Sequence, residues 1–419
     1  MTAHHSTDAS LLSFYHAQQL DLADTLAHHR DGFLGSDDPG VRAYLDGNSL
    51  GRPLAASAGR IARFITEQWG GRLIRGWDEG WLALPGAIGD ELGRVALGAA
   101  PGQTTIGDST TVLIYKLARA AVAAALSADA GRTEIVLDTE NFPTDRFILE
   151  GIAAECSMTL RWISPDPAAG VTLADLEAAL SGKTALVVLS QVAYRSGYLA
   201  DMAALTSAAH RAGALILWDL CHSVGSVPVE LDACGADLAV GCTYKYLNGG
   251  PGSPAFAYVR AEHQGVLRQP IQGWLGTADP FGMGEGYQPA AGIRAFTSGT
   301  PPILGMLAMQ DTIALLAEVG MAAVRAKSVA LTEYAIALYD GVLAPLGVEL
   351  SSPRDAAWRG GHITVDHPTF REVTATLWGD GVIPDFRNPD GIRLGLSPLS
   401  TSFAEVWLGV DAIRAELAG

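Results

Sequence analysis

Between residues 110 and 299, short β-rich apolar runs alternate with amphipathic stretches of helical period, the pattern of parallel strands joined by crossover helices. The apolar runs predict strands over 134–137, 159–163, 185–190, 214–218 and 238–242. Helical periodicity lies between them over 172–180 and 202–212, entered by Thr172 and Asp201, whose side-chain oxygens can cap the first free N–H groups. A further long helical run covers 113–126. Upstream, helices are predicted near 21–29 and over 53–68, flanking a turn-rich stretch, Tyr44-Leu-Asp-Gly-Asn-Ser-Leu-Gly51, that passes across something larger. After Pro302 the texture changes to long Ala/Leu/Met-rich helices as far as about Leu346, then to a mixed region closed by a C-terminal helix. The pattern predicts an α/β protein with an N-terminal segment (1–55), a large domain holding a mostly parallel sheet (56–310) and a smaller α+β domain (311–419).

Composition narrows the function classes. An apolar share of 48% against 17% charged residues supplies ample core and argues against disorder, with some excess available for an oligomer interface. A formal charge of -17 disfavours nucleic acid, which is held by counterion release onto basic surfaces. Cys156, Cys221, Cys234 and Cys242 form no C-x-x-C pair and no metal-type pairing with histidine, so they read as reduced, mostly buried thiols, and no metal is expected. Residues 1–12 include His4-His5 but no basic region followed by an apolar stretch, and no segment elsewhere approaches membrane-span length. The expected setting is the cytoplasm, without membrane association.

In an open parallel sheet, ligands sit outside the carboxyl ends of the strands, so the residues just after each strand carry the chemistry. Leu215-Ile-Leu-Trp-Asp219 ends an apolar strand on a carboxylate, which could either cap a turn or keep a pyridinium nitrogen protonated. The next strand runs into Thr243-Tyr-Lys-Tyr-Leu-Asn-Gly-Gly-Pro-Gly252, so Lys245 lies beside Asp219 if the two strands are neighbours. A lysine in a partly desolvated pocket has a lowered pKa and can form an imine, and the glycines let backbone approach a flat ligand. Gly107-Asp-Ser-Thr-Thr-Val112 opens a helix with hydroxyls and amides suited to a phosphate, or to a simple cap. Arg393, in Gly391-Ile-Arg-Leu-Gly-Leu-Ser-Pro398, could clamp a substrate carboxylate in a bidentate fork, or stand on the surface of a strand.

Leu45-Asp-Gly-Asn-Ser-Leu-Gly51, Asn141-Phe-Pro-Thr-Asp145, Trp218-Asp-Leu-Cys-His-Ser223, Tyr244-Lys-Tyr-Leu-Asn-Gly-Gly-Pro-Gly252 and Arg294-Ala-Phe-Thr-Ser-Gly-Thr-Pro-Pro302 together resemble kynureninase, a fold-type-I pyridoxal-phosphate hydrolase related to class V aminotransferases. The resemblance runs from about Tyr44 to Phe403. It implies pyridoxal 5'-phosphate as cofactor and a homodimer with each active site at the subunit boundary. By position, Lys245 matches the imine lysine, and Tyr244 the tyrosine that contacts the phosphate and assists proton transfer. Thr110 and Thr111 match the phosphate-binding pair, Phe142 the ring that stacks on the cofactor, and Asp145 its polar neighbour. Asp219 matches the pyridinium partner, and Ser190 and His222 match further cofactor contacts. Trp274 and Thr300 match residues lent to the phosphate by the opposite subunit, while Arg393 matches the carboxylate-binding arginine, with Ser49 near the substrate. Gln191-Val-Ala-Tyr-Arg-Ser196 departs from the family's His-Val-Asn-Tyr-Arg-Thr run, a difference that touches the substrate rather than the cofactor.

The activity implied is hydrolysis of L-kynurenine, or of a ring-substituted relative such as 3-hydroxykynurenine, to anthranilate or hydroxyanthranilate and L-alanine. It belongs to the kynurenine pathway of tryptophan catabolism, which leads to NAD biosynthesis. Ser298, Gly299 and Thr300 stand where relatives favouring the 3-hydroxylated substrate are expected to carry an asparagine, with Trp77 and Trp81 as aromatic surface nearby; unsubstituted kynurenine is therefore favoured. Two rival functions share features. Cysteine desulfuration or transamination could use the same cofactor set, although a desulfurase needs a mobile cysteine and Cys221 and Cys242 lie in or beside strands. A serine hydrolase is suggested by Gly47-Asn-Ser-Leu-Gly51, but only a short strand over 41–45 precedes it, and a loop is expected there.

Overall fold

The computed structural model describes residues 10–419; residues 1–9, with the His4-His5 pair, lie outside the described part. One sheet has seven strands: β1 (Thr104–Ile106), β2 (Glu134–Asp138), β3 (Thr159–Ile163), β4 (Thr184–Ser190), β5 (Leu215–Asp219), β6 (Leu238–Gly241) and β7 (Phe256–Val259). Their spatial order is β1-β7-β6-β5-β4-β2-β3. Strand β7 pairs antiparallel with both neighbours and every other pairing is parallel. The strands β2 to β6 fall on the apolar runs, and the interior residues of β2, β4, β5 and β6, such as Ile135, Val187 and Ile216, are fully buried because helices cover both faces, whereas the edge strand β3 leaves Arg161 and Trp162 exposed. Strands β1 and β7 escape that pattern: β1 is three residues long and begins Thr104-Thr105, and β7 has only four residues.

Four crossover helices, α1 (Thr110–Ala128), α2 (Pro143–Cys156), α3 (Leu173–Ala179) and α4 (Met202–Arg211), connect or flank these strands. Thr172 and Asp175 form a capping box on α3, and Asp201 accepts from the Ala204 N–H at 3.0 Å on α4, as their sequence positions predict. The upstream helices differ from expectation. In place of 21–29 there is a helix over Phe14–Ala23 and a tighter turn over Ala27–Gly32, separated where Asp24 turns extended and accepts from the Leu26 N–H. The helix expected over 53–68 is regular only across Ala55–Arg63 and then widens across Phe64–Trp69.

Beyond α5 (Ile303–Val319) and α6 (Met321–Leu338), a second sheet holds β8 (Glu349–Leu350), β9 (His362–Asp366), β10 (Asp385–Arg387) and β11 (Gly391–Gly395) in the antiparallel order β10-β11-β9-β8. Its core includes Ile363, Leu394 and Phe403, whereas two other cores cover the faces of the large sheet. The chain passes between cores within α6, where Val324 packs with the large sheet and Leu331 with the small one. Residues Ala43–Tyr44 pair with Val382–Ile383 in a separate two-stranded ladder, the Gly395 N–H of β11 donates to the Leu45 carbonyl at 2.7 Å, and the Gly51 N–H donates to the Tyr244 carbonyl at 2.8 Å, so the 44–51 turn stitches the small sheet to the large one.

One bulk property differs from expectation. Thr110–Ala128 and Met321–Leu346 are long and apolar enough to cross a membrane, contrary to the sequence reading, but both are packed as core helices, and α1 carries a buried Lys116 paired with Asp108 at 2.8 Å. All four cysteines are free, with Cys221 and Cys242 buried and Cys156 and Cys234 only partly so.

Candidate active site

Strands β5 and β6 are parallel neighbours with Asp219 opposite Val240, which meets the condition that brings the carboxylate and Lys245 together. The buried Asp219 Oδ1 accepts from the Cys221 N–H at 2.7 Å, which fixes the carboxylate at its strand end. The Lys245 ammonium lies 3.1 Å from His222 Nε2, with the Phe142 and Tyr244 ring centres 5.8 and 5.9 Å away. Burial, then the charges of Lys245 and Arg393, hold the His222 pKa well below its usual value, so the ring is neutral and can accept from the lysine. Asp145 enters from the first turn of α2; burial and the adjacent Asp219 charge push its pKa well above the carboxylate range, which keeps Asp145 protonated. These residues line a cavity of about 230 Å³ together with Thr110, Thr111, Tyr244, Cys221 and Cys242.

The floor of this cavity is the start of α1. Asp108 adopts a left-handed φ of 53°, its carboxylate engages Lys116, and Ser109 accepts from the Val112 N–H as the helix cap. That turn leaves Thr110 and Thr111 at the helix N-terminus, where free amides and hydroxyls suit an anion. Phe142 immediately precedes α2, its N–H bound to Asn141 Oδ1 at 2.8 Å and its ring edge-on to Tyr194 at 5.3 Å. Ser190 reaches the site indirectly, donating to the same Asn141 oxygen at 2.9 Å from the end of β4. Burial, followed by Cys242 and Cys221, raises the Tyr244 pKa, which keeps its hydroxyl protonated.

Arg393 comes from β11 in the small sheet, and it is buried at 1% exposure, so the surface alternative is excluded. Its Nε donates to Asp385 Oδ2 at 2.7 Å, Nη2 donates to the same oxygen and to Ser49 Oγ at 2.9 Å, and Nη1 donates to the Tyr194 carbonyl at 2.7 Å. The Nε–Nη2 edge therefore already holds Asp385, and with both Nη2 N–H groups engaged by Asp385 and Ser49 the N–H left to a carboxylate is the second one on Nη1. Ser49 lies in a loop held by that guanidinium, which removes the structural basis for a nucleophile elbow. Two groups beside Arg393 carry no local sequence signal. Asp385 sits on β10 and reaches Arg393 only by strand pairing, and His362 opens β9 with its ring 5.8 Å from that of His222. Burial, followed by the Arg393 charge, pulls His362 down to about 3, while burial and Asp385 push Asp46 up to about 6.

Trp274 and Thr300 do not join this chain's cavity. Both are exposed, and the Trp274 ring packs against Phe281 at 5.9 Å. Trp77 and Trp81 pack against each other, with Trp81 also on Phe64, rather than lining the cavity.

Among known families, residues 324–413 match the kynureninase C-terminal domain. A kynureninase from Burkholderia pseudomallei is 42% identical over 401 residues, spanning 95% of this chain and 94% of its own. The chain belongs to the kynureninase family. A kynureninase from Pseudomonas fluorescens is likewise 42% identical, over 94% of this chain and 92% of its own. Among solved structures, a variant of C-DES with glycine covalently linked to its PLP cofactor superposes at TM-score 0.78, with 18% identity over 93% of this chain and 98% of its own. The Escherichia coli cysteine desulfurase CsdA superposes at 0.77, with 14% identity over 94% and 98%. At such identities the likeness is one of fold, that of the fold-type-I pyridoxal-phosphate enzymes. This cavity fits that cofactor: it offers a buried amine, a half-buried aromatic ring and a helix N-terminus, and Asp145 Oδ2 is buried there without a hydrogen-bond partner.

Proposed function

We propose that this chain is a pyridoxal-phosphate-dependent hydrolase that cleaves L-kynurenine, or a ring-substituted kynurenine, to an anthranilate and L-alanine. The observation that carries the proposal is the convergence of Lys245, neutral His222 and Asp219 at the ends of β5 and β6 with protonated Asp145 from α2, in a chain of this family. When bound, the cofactor supplies an electron sink for a substrate carbanion. Thr110 and Thr111, at the start of α1, would hold its phosphate, Phe142 would cover its ring, and Asp219, backed by Asp145, would bind its ring nitrogen. Lys245 Nζ anchors the cofactor and afterwards moves the substrate α-proton, with His222 accepting from Nζ while it waits. Tyr244, kept protonated by burial, gives and recovers protons at the leaving aryl side. Arg393 and Ser49 orient the α-carboxylate, and water adds at the γ-carbonyl so that the bond between the β- and γ-carbons breaks.

The active unit is a soluble cytoplasmic homodimer in which exposed Trp274 and Thr300 complete the partner's phosphate site. Their exposure and their absence from this chain's own cavity lining support that arrangement. The ring preference is for unsubstituted kynurenine. Purified protein given L-kynurenine should release equal amounts of anthranilate and alanine, and the ratio of kcat/KM for L-kynurenine and 3-hydroxy-L-kynurenine reads the preference. Sulfide release from cysteine with neither kynurenine cleaved would overturn the activity, and a hundredfold preference for the hydroxylated compound would overturn the ring assignment.

A further inference from the structure

Cys221 and Cys242 follow β5 and β6 at the register offset that pairs Trp218 with Ala239 and Asp219 with Val240, so they stand side by side across two neighbouring strand ends. Both are free, both are buried and both line the cofactor cavity. The Cys242 N–H donates to Cys221 Sγ at 3.2 Å, and the Cys242 thiol faces the Cys221 carbonyl at 3.8 Å. Adjacent strands lie about 4.8 Å apart, within the Cα separation of roughly 4.4–6.8 Å that a disulfide spans.

We propose that Cys221 and Cys242 are an oxidisable dithiol built into the cofactor cavity, which hydrogen peroxide or a small organic hydroperoxide closes to a disulfide. The Cys242 sulfur attacks a peroxide oxygen, the O–O bond breaks, and water (from hydrogen peroxide) or the corresponding alcohol (from an organic hydroperoxide) leaves as Cys242 becomes a sulfenic acid. Cys221 then loses its proton and attacks that sulfur; the S–O bond breaks, a water leaves and the S–S bond forms. Two thiols are oxidised by two electrons, and the peroxide is reduced to two waters or, for an organic hydroperoxide, to an alcohol and one water.

The environment sets the order of attack. Burial alone would raise Cys242, but the hydrogen bond from Cys221 and the Lys245 ammonium bring it down to about 7, whereas Cys221 is pushed up by sharing its proton and by burial. Burial also raises Cys156 and Cys234. A thiolate half-formed at neutral pH, discounted for its lower intrinsic nucleophilicity, reacts on the order of tenfold faster than such ordinary thiols.

The test treats the purified holoprotein with hydrogen peroxide at pH 7, alkylates the remaining thiols and maps the peptides by mass spectrometry. The expected result is a peptide joining Cys221 to Cys242, lighter by two hydrogens and reversed by dithiothreitol, formed about tenfold faster than Cys156 or Cys234 oxidises. Cys221→Ser should leave a sulfenic acid on Cys242 that dimedone traps, and Cys242→Ser should leave Cys221 an alkylatable thiol. Should either variant fail to fold, the wild-type map decides alone. Cys221 and Cys242 both remaining free while Cys156 or Cys234 oxidises would overturn the proposal, as would a sulfenic acid on Cys221 in the Cys242→Ser protein.

Discussion

Arg393 has two duties that one set of variants can separate. Its guanidinium is buried and makes four hydrogen bonds, two of them to the Asp385 carboxylate, so Arg393→Met leaves that carboxylate buried with only the partly exposed Arg387, at 3.1 Å, as a cationic partner. Breaking a buried ion pair from one side costs about 3–5 kcal/mol, whereas replacing both partners by apolar residues of similar size is often close to neutral. Arg393→Met should therefore move the urea midpoint down by that amount divided by the m-value, and the double variant Arg393→Met/Asp385→Leu should recover most of it. Catalysis should behave differently. Loss of a charge-assisted hydrogen bond to the substrate carboxylate is worth about 1.5–3 kcal/mol, a fall in kcat/KM of roughly tenfold to a hundredfold, and a leucine in place of Asp385 cannot restore it. The assays are urea unfolding at saturating cofactor, so that ligand linkage is constant, and initial rates of kynurenine cleavage on the same preparations. The reasoning is refuted if the double variant is no more stable than Arg393→Met, or if its kcat/KM returns with its stability.

Three further outcomes are expected. A Cβ on Gly51 would stand 2.2 Å from the Lys245 carbonyl oxygen, so Gly51→Ala should cost about 1–3 kcal/mol and displace the lysine backbone; cofactor retained after gel filtration, read by visible absorbance, should fall, and unchanged retention with unchanged stability contradicts the contact. His362 has its folded pKa depressed from 6.5 to about 3, so the unfolded chain binds the extra proton between those values and stability is present above 6.5 and lost as pH falls toward 3. His362→Gln should flatten the stability slope over that window by about 1.4 kcal/mol per pH unit, and identical slopes count against a buried neutral ring. Mixing Lys245→Ala chains with Trp274→Ala/Thr300→Ala chains should restore partial activity from the one intact site per heterodimer, whereas none after proven subunit exchange argues for sites contained in one chain.

The large sheet and the heart of the site were legible along the chain because their signals are local. Apolar runs mark β2 to β6, side-chain oxygens at Thr172 and Asp201 give helix starts, and Asp219 and Lys245 follow two consecutive strands, so they come together once those strands pair as parallel neighbours. Strands β1 and β7 were not legible, since three- and four-residue strands carry too few positions for a period to emerge. The helix near 21–29 failed for the opposite reason: the apolar period runs on, but Asp24 binds its own neighbour's N–H and ends the helix. Contacts between distant residues decided the rest. Asp385 faces Arg393 through the register of an antiparallel pair, Ser49 reaches it across 344 positions, and Gly51 meets the Lys245 carbonyl because the 44–51 turn is pinned at both ends. Composition and spacing hold no record of such approaches, since they are set by how two separately formed sheets dock, and docking is selected by the packing of the whole interface rather than by any one segment.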